Sequence, residues 1–265
     1  MCVSLDENRE NSNFKRGMKT LGIIPARYGS TRLPGKALIM VHGRTIIERV
    51  YHQASKATGL SDIVVATDDV RIQNHVRKFG GKAVMTRADH ESGTTRCAEV
   101  LDYLPGFDAI VNIQGDEPLI NPAQIDQLCA MMRDPQVAIG TLARRVTDAQ
   151  DLQNPAEAKI VFGSKGRVVY FSRSPVPHVR DVPIEKWLEH GKFFNHVGMY
   201  VFRRDVLKRI GTLPTSDLER MEKLEQLNWL YHGIPIHAIE TEYESFGIDS
   251  QQDVEMLEKR LSLTE

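Results

Sequence analysis

Short apolar segments alternate with amphipathic segments through the first half of this chain. Residues 19–25, 63–67 and 109–114 are apolar runs of strand length, and residues 44–58 carry apolar side chains at helical spacing. Strands that alternate with helices of ten or more residues predict βαβ units, in which the strands lie parallel in one sheet. We therefore expect an α/β fold with a mostly parallel central sheet.

The second half shows a less regular alternation. Residues 137–145 and 193–202 are predicted strands, and residues 216–231 are predicted to form one continuous helix. Residues from about 160 to 200 are expected to form a small inserted lobe or a contact with a second copy. The length favours a single domain over residues 18–265, and the polar residues 1–17 are expected to be a disordered extension.

Composition limits the classes of function to consider. The 265 residues carry a formal net charge of −1 and an isoelectric point near 6.8, so no general nucleic-acid-binding surface is expected. No apolar run approaches the roughly 18 residues of a membrane span, and residues 1–17 lack the apolar core of a secretory signal. Three widely spaced cysteines without a C-x-x-C pair are typical of a reducing compartment. We therefore expect a cytoplasmic protein that binds neither nucleic acid nor a membrane.

A cationic loop that contains two glycines follows the first predicted strand. Residues 25–36 read Pro-Ala-Arg-Tyr-Gly-Ser-Thr-Arg-Leu-Pro-Gly-Lys, and their three cations are Arg27, Arg32 and Lys36. Such cations donate charge-assisted hydrogen bonds to phosphate oxygens, and Gly29 and Gly35 let the backbone approach an anion. The spacing matches neither a Walker A loop nor a G-x-G-x-x-G loop. We interpret the segment as a polyphosphate-binding loop. The alternative is a solvated basic loop in which proline and glycine only set turns.

Two aspartates stand beside the ends of predicted elements. Asp116 follows the apolar run 109–114, and Asp249 precedes the last predicted helix. Ligands of open α/β sheets bind at the carboxyl ends of the strands, and Mg²⁺ takes one or two protein carboxylates beside phosphate oxygens. Asp116 is therefore a candidate Mg²⁺ ligand, with a plain turn as the alternative. The local pattern at Asp249 favours a helix cap, a role that Ser250 can also fill.

Two further polar clusters are less specific. Residues 85–96 form a polar segment in which Arg87, Arg96 and several hydroxyls could hold a base or a sugar. The polar residues of the second half are Arg173, His196, Tyr200, Glu225 and Gln226. His196 and Tyr200 are four residues apart on a predicted strand and should face one side of it. Taken singly, these residues are more typical of ordinary surface or core polar groups.

The motifs together resemble those of the CMP-KDO synthetases, the 3-deoxy-manno-octulosonate (KDO) cytidylyltransferases. The resemblance rests on the loop 25–36, Ala-Thr-Asp at 66–68, Thr-Arg-Ala-Asp-His at 86–90, Ser-Gly-Thr at 92–94 and Gln-Gly-Asp-Glu-Pro at 114–118. It continues with Tyr-Phe-Ser-Arg at 170–173, His196 with Gly198 and Tyr200, Leu-Glu-Gln-Leu at 224–227 and Gly-Ile-Asp at 247–249. These motifs extend over residues 19–260.

The resemblance implies a Rossmann-like α/β/α nucleotidyltransferase fold, a homodimer and the Mg²⁺-dependent reaction of CTP with KDO to CMP-KDO and pyrophosphate, for lipopolysaccharide biosynthesis. At matching positions, the triphosphate would be bound by Arg27, Ser30, Arg32 and Lys36, and the cytidine by Arg87, Ser92 and Gln114. The metal would be bound by Asp116 and Asp249. The sugar acid would be bound by Arg173, His196, Tyr200, Glu225 and Gln226. The implied catalytic residues are Arg27, Lys36, Asp116 and Asp249.

The chain departs from the family pattern at three places. An acidic residue is common where Thr95 stands, and a basic residue usually precedes the pocket histidine, where this chain has Asn195. Thr-Pro often follows the last aspartate, where Ser250 and Gln251 stand here. The first two departures could alter how the acid sugar is held. Two other functions stay open: a sister enzyme that uses amino-KDO or sialic acid, and a nucleotide sensor with an inactive site.

Overall fold

The fold is described from a computed structural model, in which residues 17–29 and 33–263 are placed. The strands are β1 Thr20–Ala26, β2 Met40–Val41, β3 Arg44–Thr45, β4 Asp62–Thr67, β5 Ala83–Met85, β6 Ala109–Asn112, β7 Ile139–Arg145, β8 Lys159–Phe162, β9 Val168–Ser172, β10 Phe194–Arg203 and β11 Ile236–Glu240. The helices are α1 Ile46–Ala54, α2 Val70–Lys78, α3 Gly93–Tyr103, α4 Pro122–Met131, α5 Ala149–Gln153, α6 Trp187–His190, α7 Arg204–Ile210, α8 Asp217–Glu222, α9 Glu225–Tyr231 and α10 Gln251–Ser262. The predicted extension 1–17, except Gly17, lies outside the described residues.

The central sheet is mostly parallel, as predicted. Its main path runs in the order β11-β7-β10-β6-β1-β4-β5, and β8 and β9 form a hairpin attached to β10. The pairs β1–β4, β1–β6, β4–β5 and β7–β11 are parallel. Strand β10 runs antiparallel to both of its neighbours on this path, β6 and β7. The carboxyl ends of the parallel strands therefore lie along one edge of the sheet.

Helices cover both faces of the sheet, which confirms the α/β/α architecture. In β1, Leu21 and Ile23 pack into one apolar cluster with helices α3, α7 and α9. Ile24 and Ala26 pack into a second cluster with α1, α2, α4 and α10. Successive side chains of a strand point to opposite faces, so an apolar strand between two helical layers is buried on both sides.

A third and smaller apolar cluster is formed by side chains from residues 146–193. Val146, Leu152, Trp187 and Phe193 are its buried members, and they belong to the segment around the short helices α5 and α6. The Trp187 and Phe193 rings stack with centroids 5.9 Å apart. This segment follows β7 and leads into β10, so it borders the carboxyl-terminal edge of the sheet.

The predicted continuous helix over residues 216–231 is wrong. The structure has two helices, α8 and α9, which Lys223 separates with a left-handed backbone φ of 52°. The carbonyls of Glu222 and Lys223 accept hydrogen bonds from the Arg173 side chain, so they are held outside a continuing helix. The helix predicted over residues 44–58 is also shorter, because Thr45 ends β3 and caps α1 with its side chain.

None of the helices in residues 17–29 and 33–263 combines the length and hydropathy needed to cross a membrane.

Candidate active site

Two adjoining cavities open at the carboxyl ends of the parallel strands. The first cavity, of about 260 Å³, lies between the end of β1, the loop before α1 and the start of α3. The second cavity, of about 620 Å³, lies between β7, β10 and the start of α9. Gln114, Asp116 and Asp249 line both cavities. A ligand in the first cavity and a ligand in the second cavity would therefore meet at these three residues.

The predicted phosphate loop lines the first cavity. Gly35 adopts a φ of 71°, which favours glycine, and its N–H donates a hydrogen bond to the Tyr28 carbonyl over 2.8 Å. This turn places Lys36 at the start of a short 3₁₀ helix, Lys36–Leu38. Arg27 is exposed and also lines the cavity. Ser30 and Arg32, the other two residues predicted to bind the triphosphate, lie outside the described residues.

Close contact between two strand ends positions Asp116. A Cβ atom added at Gly115 would lie 2.6 Å from the Pro25 carbonyl oxygen, closer than a real side chain can stand. Glycine at this position lets the chain after β6 pass against the end of β1. Asp116 then follows at the junction of the two cavities, where the strand pattern predicted it.

Asp249 reaches the same junction through a backbone contact. The Ile248 N–H donates a hydrogen bond to the Asp116 carbonyl oxygen over 2.9 Å, although the two residues are far apart in sequence. Ser250 caps α10 and forms a capping box with Asp253. The sequence left open whether Asp249 or Ser250 caps this helix. In the structure Ser250 is the cap, and Asp249 lines the two cavities.

The Lys36 ammonium lies between the two aspartates. Its Nζ atom is 2.6 Å from Asp116 Oδ2, 3.2 Å from Asp249 Oδ1 and 3.0 Å from the Ile248 carbonyl oxygen. Two carboxylates thus reach one cation, in an oxygen-rich setting of the kind that Mg²⁺ prefers. No cluster of three or more histidine, cysteine, aspartate or glutamate side chains suited to a metal occurs in the described part of the chain. The two carboxylates of Asp116 and Asp249 fit a Mg²⁺ ion whose remaining ligands come from phosphate and water.

A direct contact joins residues predicted to serve different substrates. Ser92 caps α3 and also donates a hydrogen bond to Glu225 Oε1 over 2.8 Å. Thr94 donates to the other carboxylate oxygen of Glu225, also over 2.8 Å. Burial raises the pKa of Glu225 to about 7, and the two hydroxyl donors oppose this rise. Ser92, from the predicted cytidine site, thus holds Glu225, from the predicted sugar-acid site.

His196 and Tyr200 share one wall of the second cavity. Their rings lie with centroids 5.1 Å apart, which confirms that they face the same side of β10. Burial lowers the pKa of His196 to about 3, so the ring is uncharged at neutral pH, and its Nε2 lies 2.9 Å from Thr141 Oγ1. The buried Tyr200 hydroxyl has no hydrogen-bond partner within residues 17–29 and 33–263. It is therefore positioned to bond a ligand hydroxyl.

Arg173 and Gln226 also line the second cavity, but Arg173 is engaged with the backbone. Its Nε donates to the Glu222 carbonyl over 2.6 Å, and its Nη1 donates to the Pro155 carbonyl over 2.9 Å. Arg173 thereby ties the loop before β8 to the end of α8. Gln226 is buried at the start of α9.

The two arginines of the segment 85–96 have different positions. Arg87 is 69% exposed, with its Nε 3.2 Å from Asp89, and it lines neither of these two cavities but a further cavity of about 790 Å³ that Ser92 and Glu225 also line. Arg96 is buried in the wall of the first cavity and donates to Asp68 over 2.9 Å. Arg96 comes one turn after the Ser92 cap of α3.

Other cavity-lining residues were missed by the sequence reasoning. Arg144, Glu157, Asn195 and Lys223 line the second cavity. Arg144 lies near the end of a predicted strand, which is the signal that could have selected it. A larger cavity, of about 990 Å³, lies beside Phe162, Lys165 and His237, and its described lining includes none of the predicted site residues.

Comparison with known proteins identifies the family. A sequence model of the family described as Cytidylyltransferase matches residues 21–240. A 3-deoxy-manno-octulosonate cytidylyltransferase of Bacteroides thetaiotaomicron is 46% identical over 92% of this chain and 98% of the relative. The chain belongs to this cytidylyltransferase family. A relative of the same name from Solibacter usitatus is 45% identical over 91% of this chain and 94% of the relative.

A solved structure of the family supports the same fold. The structure of CMP:2-keto-3-deoxy-manno-octonic acid synthetase complexed with CTP superposes with a TM-score of 0.87 and 39% sequence identity. The superposition covers 93% of this chain and 100% of the solved chain. The Rossmann-like nucleotidyltransferase fold expected from the family motifs is therefore confirmed. The relatives' names do not favour the sialic acid or amino-KDO alternatives.

Proposed function

We propose that this protein transfers the CMP group of CTP to KDO and releases pyrophosphate. The observation that carries the proposal is that the Asp116 and Asp249 carboxylates both contact the Lys36 ammonium at the junction of the two cavities. A cytidylyltransferase must bring a nucleotide and an acceptor together at one point, and the names of the relatives support KDO as the acceptor. The charged loop beside the first cavity supports the proposal that the nucleotide binds on that side.

In the proposed reaction the anomeric hydroxyl of KDO attacks the α-phosphorus of CTP. A bond forms between that oxygen and the α-phosphorus, the bond from this phosphorus to the bridging oxygen of the β-phosphate breaks, and pyrophosphate departs. The hydroxyl proton passes to water. Such transfers depend on positioning and on neutralising charge. Arg27 and Lys36 lie where they can neutralise the departing pyrophosphate. Lys36 must leave at least one aspartate to do so, which frees carboxylate oxygens.

We propose Mg²⁺ as the cofactor, held by Asp116 and Asp249. When bound, the ion would neutralise phosphate charge and lower the pKa of the attacking hydroxyl. The protein's own groups hold the two substrates on either side: Gln114 at the junction, with its amide donating to the Gly198 carbonyl over 2.5 Å, and His196, Tyr200 and Glu225 in the second cavity. The uncharged His196 ring can orient a sugar hydroxyl but does not carry positive charge at neutral pH.

The cellular setting belongs to the proposal as well. We place the reaction in the cytoplasm, where CTP is made, as a step that activates KDO for lipopolysaccharide biosynthesis. We also propose a homodimer, which light scattering of the purified protein would measure as a mass of about twice 30.0 kDa. A mass of one chain at micromolar concentration would contradict the dimer without affecting the proposed reaction.

The decisive experiment measures pyrophosphate release from CTP and Mg²⁺ with each of several sugar acids. We expect release with KDO, much less with amino-KDO or sialic acid, and none after EDTA treatment until Mg²⁺ is restored. Release with sialic acid but not with KDO would assign a sister activity. Binding of CTP without release for any sugar would favour a nucleotide sensor and would refute the proposal.

A further inference from the structure

The second cavity is rich in carboxylates, although its proposed substrate is itself an acid. The acidic residues in its lining are Asp116, Glu117, Glu157, Glu225 and Asp249. A like charge placed among them is unfavourable unless a cation faces it. The described cationic residues of the lining are Arg144, Arg173 and Lys223, and His196 is uncharged at neutral pH. These three are therefore the cations of the described lining that could face the substrate carboxylate if the proposed function is correct.

Arg173 has most of its hydrogen-bond donors occupied. Its Nε, Nη1 and Nη2 atoms donate to the carbonyls of Glu222, Pro155 and Lys223 over 2.6, 2.9 and 3.3 Å. These bonds hold together two backbone segments that flank the cavity. Turning the guanidinium toward a substrate carboxylate would leave those carbonyls without their donor. Arg173 therefore has a structural role, because it holds together the two backbone segments that flank the cavity.

Arg144 has the opposite character. Its guanidinium makes no hydrogen bond in the described portion of the chain, and the acid paired with it, Glu244, lies 3.9 Å away and is 66% exposed. The Arg144 side chain is itself 37% exposed and lines the second cavity. Its N–H fork is therefore available to a ligand that enters this cavity.

The pairing of β7 with β10 fixes the direction of Arg144. Arg144 lies directly opposite Asn195 in the antiparallel ladder, and residues directly opposite each other project from the same face of a sheet. Asn195 also lines the cavity, but it is neutral and its amide donates to Glu157. Arg144 is thus the strand-borne cation at this wall.

We propose that Arg144 binds the carboxylate of the sugar acid and so determines that the enzyme selects an acidic sugar. An arginine fork matches the two oxygens of a carboxylate, whereas Lys223 presents one point charge on a flexible stem from an exposed corner. Because Arg144 lies on a strand, its backbone is held in place before the substrate arrives. The inference rests on the proposed function and adds the residue that recognises the acid group.

The test compares Arg144→Gln with Arg145→Gln by steady-state pyrophosphate release. Arg145 is the next residue of β7, is exposed and is absent from the described lining of the second cavity, so it is a matched control. We expect Arg144→Gln to raise KM for KDO by about 10- to 100-fold, the usual range for losing a charge-assisted hydrogen bond. KM for CTP should stay within about twofold, and Arg145→Gln should change neither constant by more than about twofold.

Two further variants and one analogue sharpen the test. Arg144→Lys keeps the charge without the fork and should give a KM for KDO between those of the wild type and Arg144→Gln. Lys223→Gln should raise KM for KDO by less than Arg144→Gln does, because Lys223 offers one point charge and not a fork. The methyl ester of KDO lacks the negative charge, so the preference of the wild type for the acid over the ester should shrink in Arg144→Gln.

Each contrary result has a defined meaning. An unchanged KM for KDO in Arg144→Gln, or a larger rise in Lys223→Gln, would overturn the assignment. A parallel rise of KM for CTP would indicate a general disturbance of the site and would overturn it too. A wild-type protein that releases no pyrophosphate with KDO refutes the proposed function itself, which is a separate result seen before any variant is made.

Discussion

Replacing Glu225 with glutamine is expected to change how the free energy of unfolding depends on pH. Burial raises the pKa of Glu225 from the ordinary value of 4.5 to about 7, although Ser92 and Thr94 donate hydrogen bonds to its carboxylate. Between these two values, the folded protein keeps a proton that the unfolded chain has lost. Unfolding then releases a proton, so the folded state loses stability as the pH rises through this window.

The magnitude follows from the two pKa values. With 4.5 in the unfolded chain and about 7 in the folded protein, this one group lowers the free energy of unfolding by about 2.5 kcal/mol between pH 5 and pH 8. Glutamine has nearly the same shape but no ionisation. The stability of Glu225→Gln relative to the wild type should therefore increase by about 2.5 kcal/mol over that pH range.

Urea unfolding of both proteins at pH 5, 6, 7 and 8 measures this difference. Burial also raises the pKa of Glu117 to about 7, but Glu117 is present in both proteins and cancels in the comparison. Glu189→Gln, at an exposed carboxyl of α6, controls for any general effect of the substitution. A relative stability of Glu225→Gln that varies by less than about 0.5 kcal/mol from pH 5 to pH 8 would refute the reasoning.

Three further substitutions test the site and its supports. Asp116→Asn should lower kcat by about 10²- to 10³-fold at saturating substrates, and a kcat within threefold of the wild type would contradict its role. Lys159→Met should lower the free energy of urea unfolding by about 2–4 kcal/mol, because two carbonyls of the loop 154–157 lose a buried donor; unchanged stability would contradict this. Gly115→Ala should cost about 1–3 kcal/mol, because its Cβ would lie 2.6 Å from a carbonyl oxygen of β1. Gly191→Ala, with a nearest contact of 3.9 Å, should cost less than about 0.5 kcal/mol, and equal costs would refute the packing argument.

The sheet could be predicted because its signals are local. The run that forms β1 is apolar on both faces, and such a strand is stable only between two layers of helices. The same reasoning placed Asp116 at a strand end. It failed for residues 216–231, where the sequence is compatible with one helix but Arg173, more than forty residues away, takes the carbonyls that would continue it.

The site was predicted unevenly for the same reason. The cation-rich loop and Asp116 were visible as spacing beside a strand. The local pattern at Asp249 was that of a helix cap, and only the resemblance to the family motif at 247–249 implied a metal ligand there. The backbone bond from Ile248 to Asp116 is what turns Asp249 toward Lys36, and nothing near Asp249 in the sequence encodes it. Arg144 gave no motif, and only its pairing opposite Asn195 brings it to the second cavity.

The amino-acid sequence by itself therefore determined the α/β layering, the basic loop and the strand-end aspartate, since these depend on side-chain periodicity and on turns within a few residues. The tertiary structure decided which distant groups meet: Lys36 with Asp249 across 213 positions, and Ser92 with Glu225 across 133. Such meetings depend on strand order and register, which are set by the packing of the whole core.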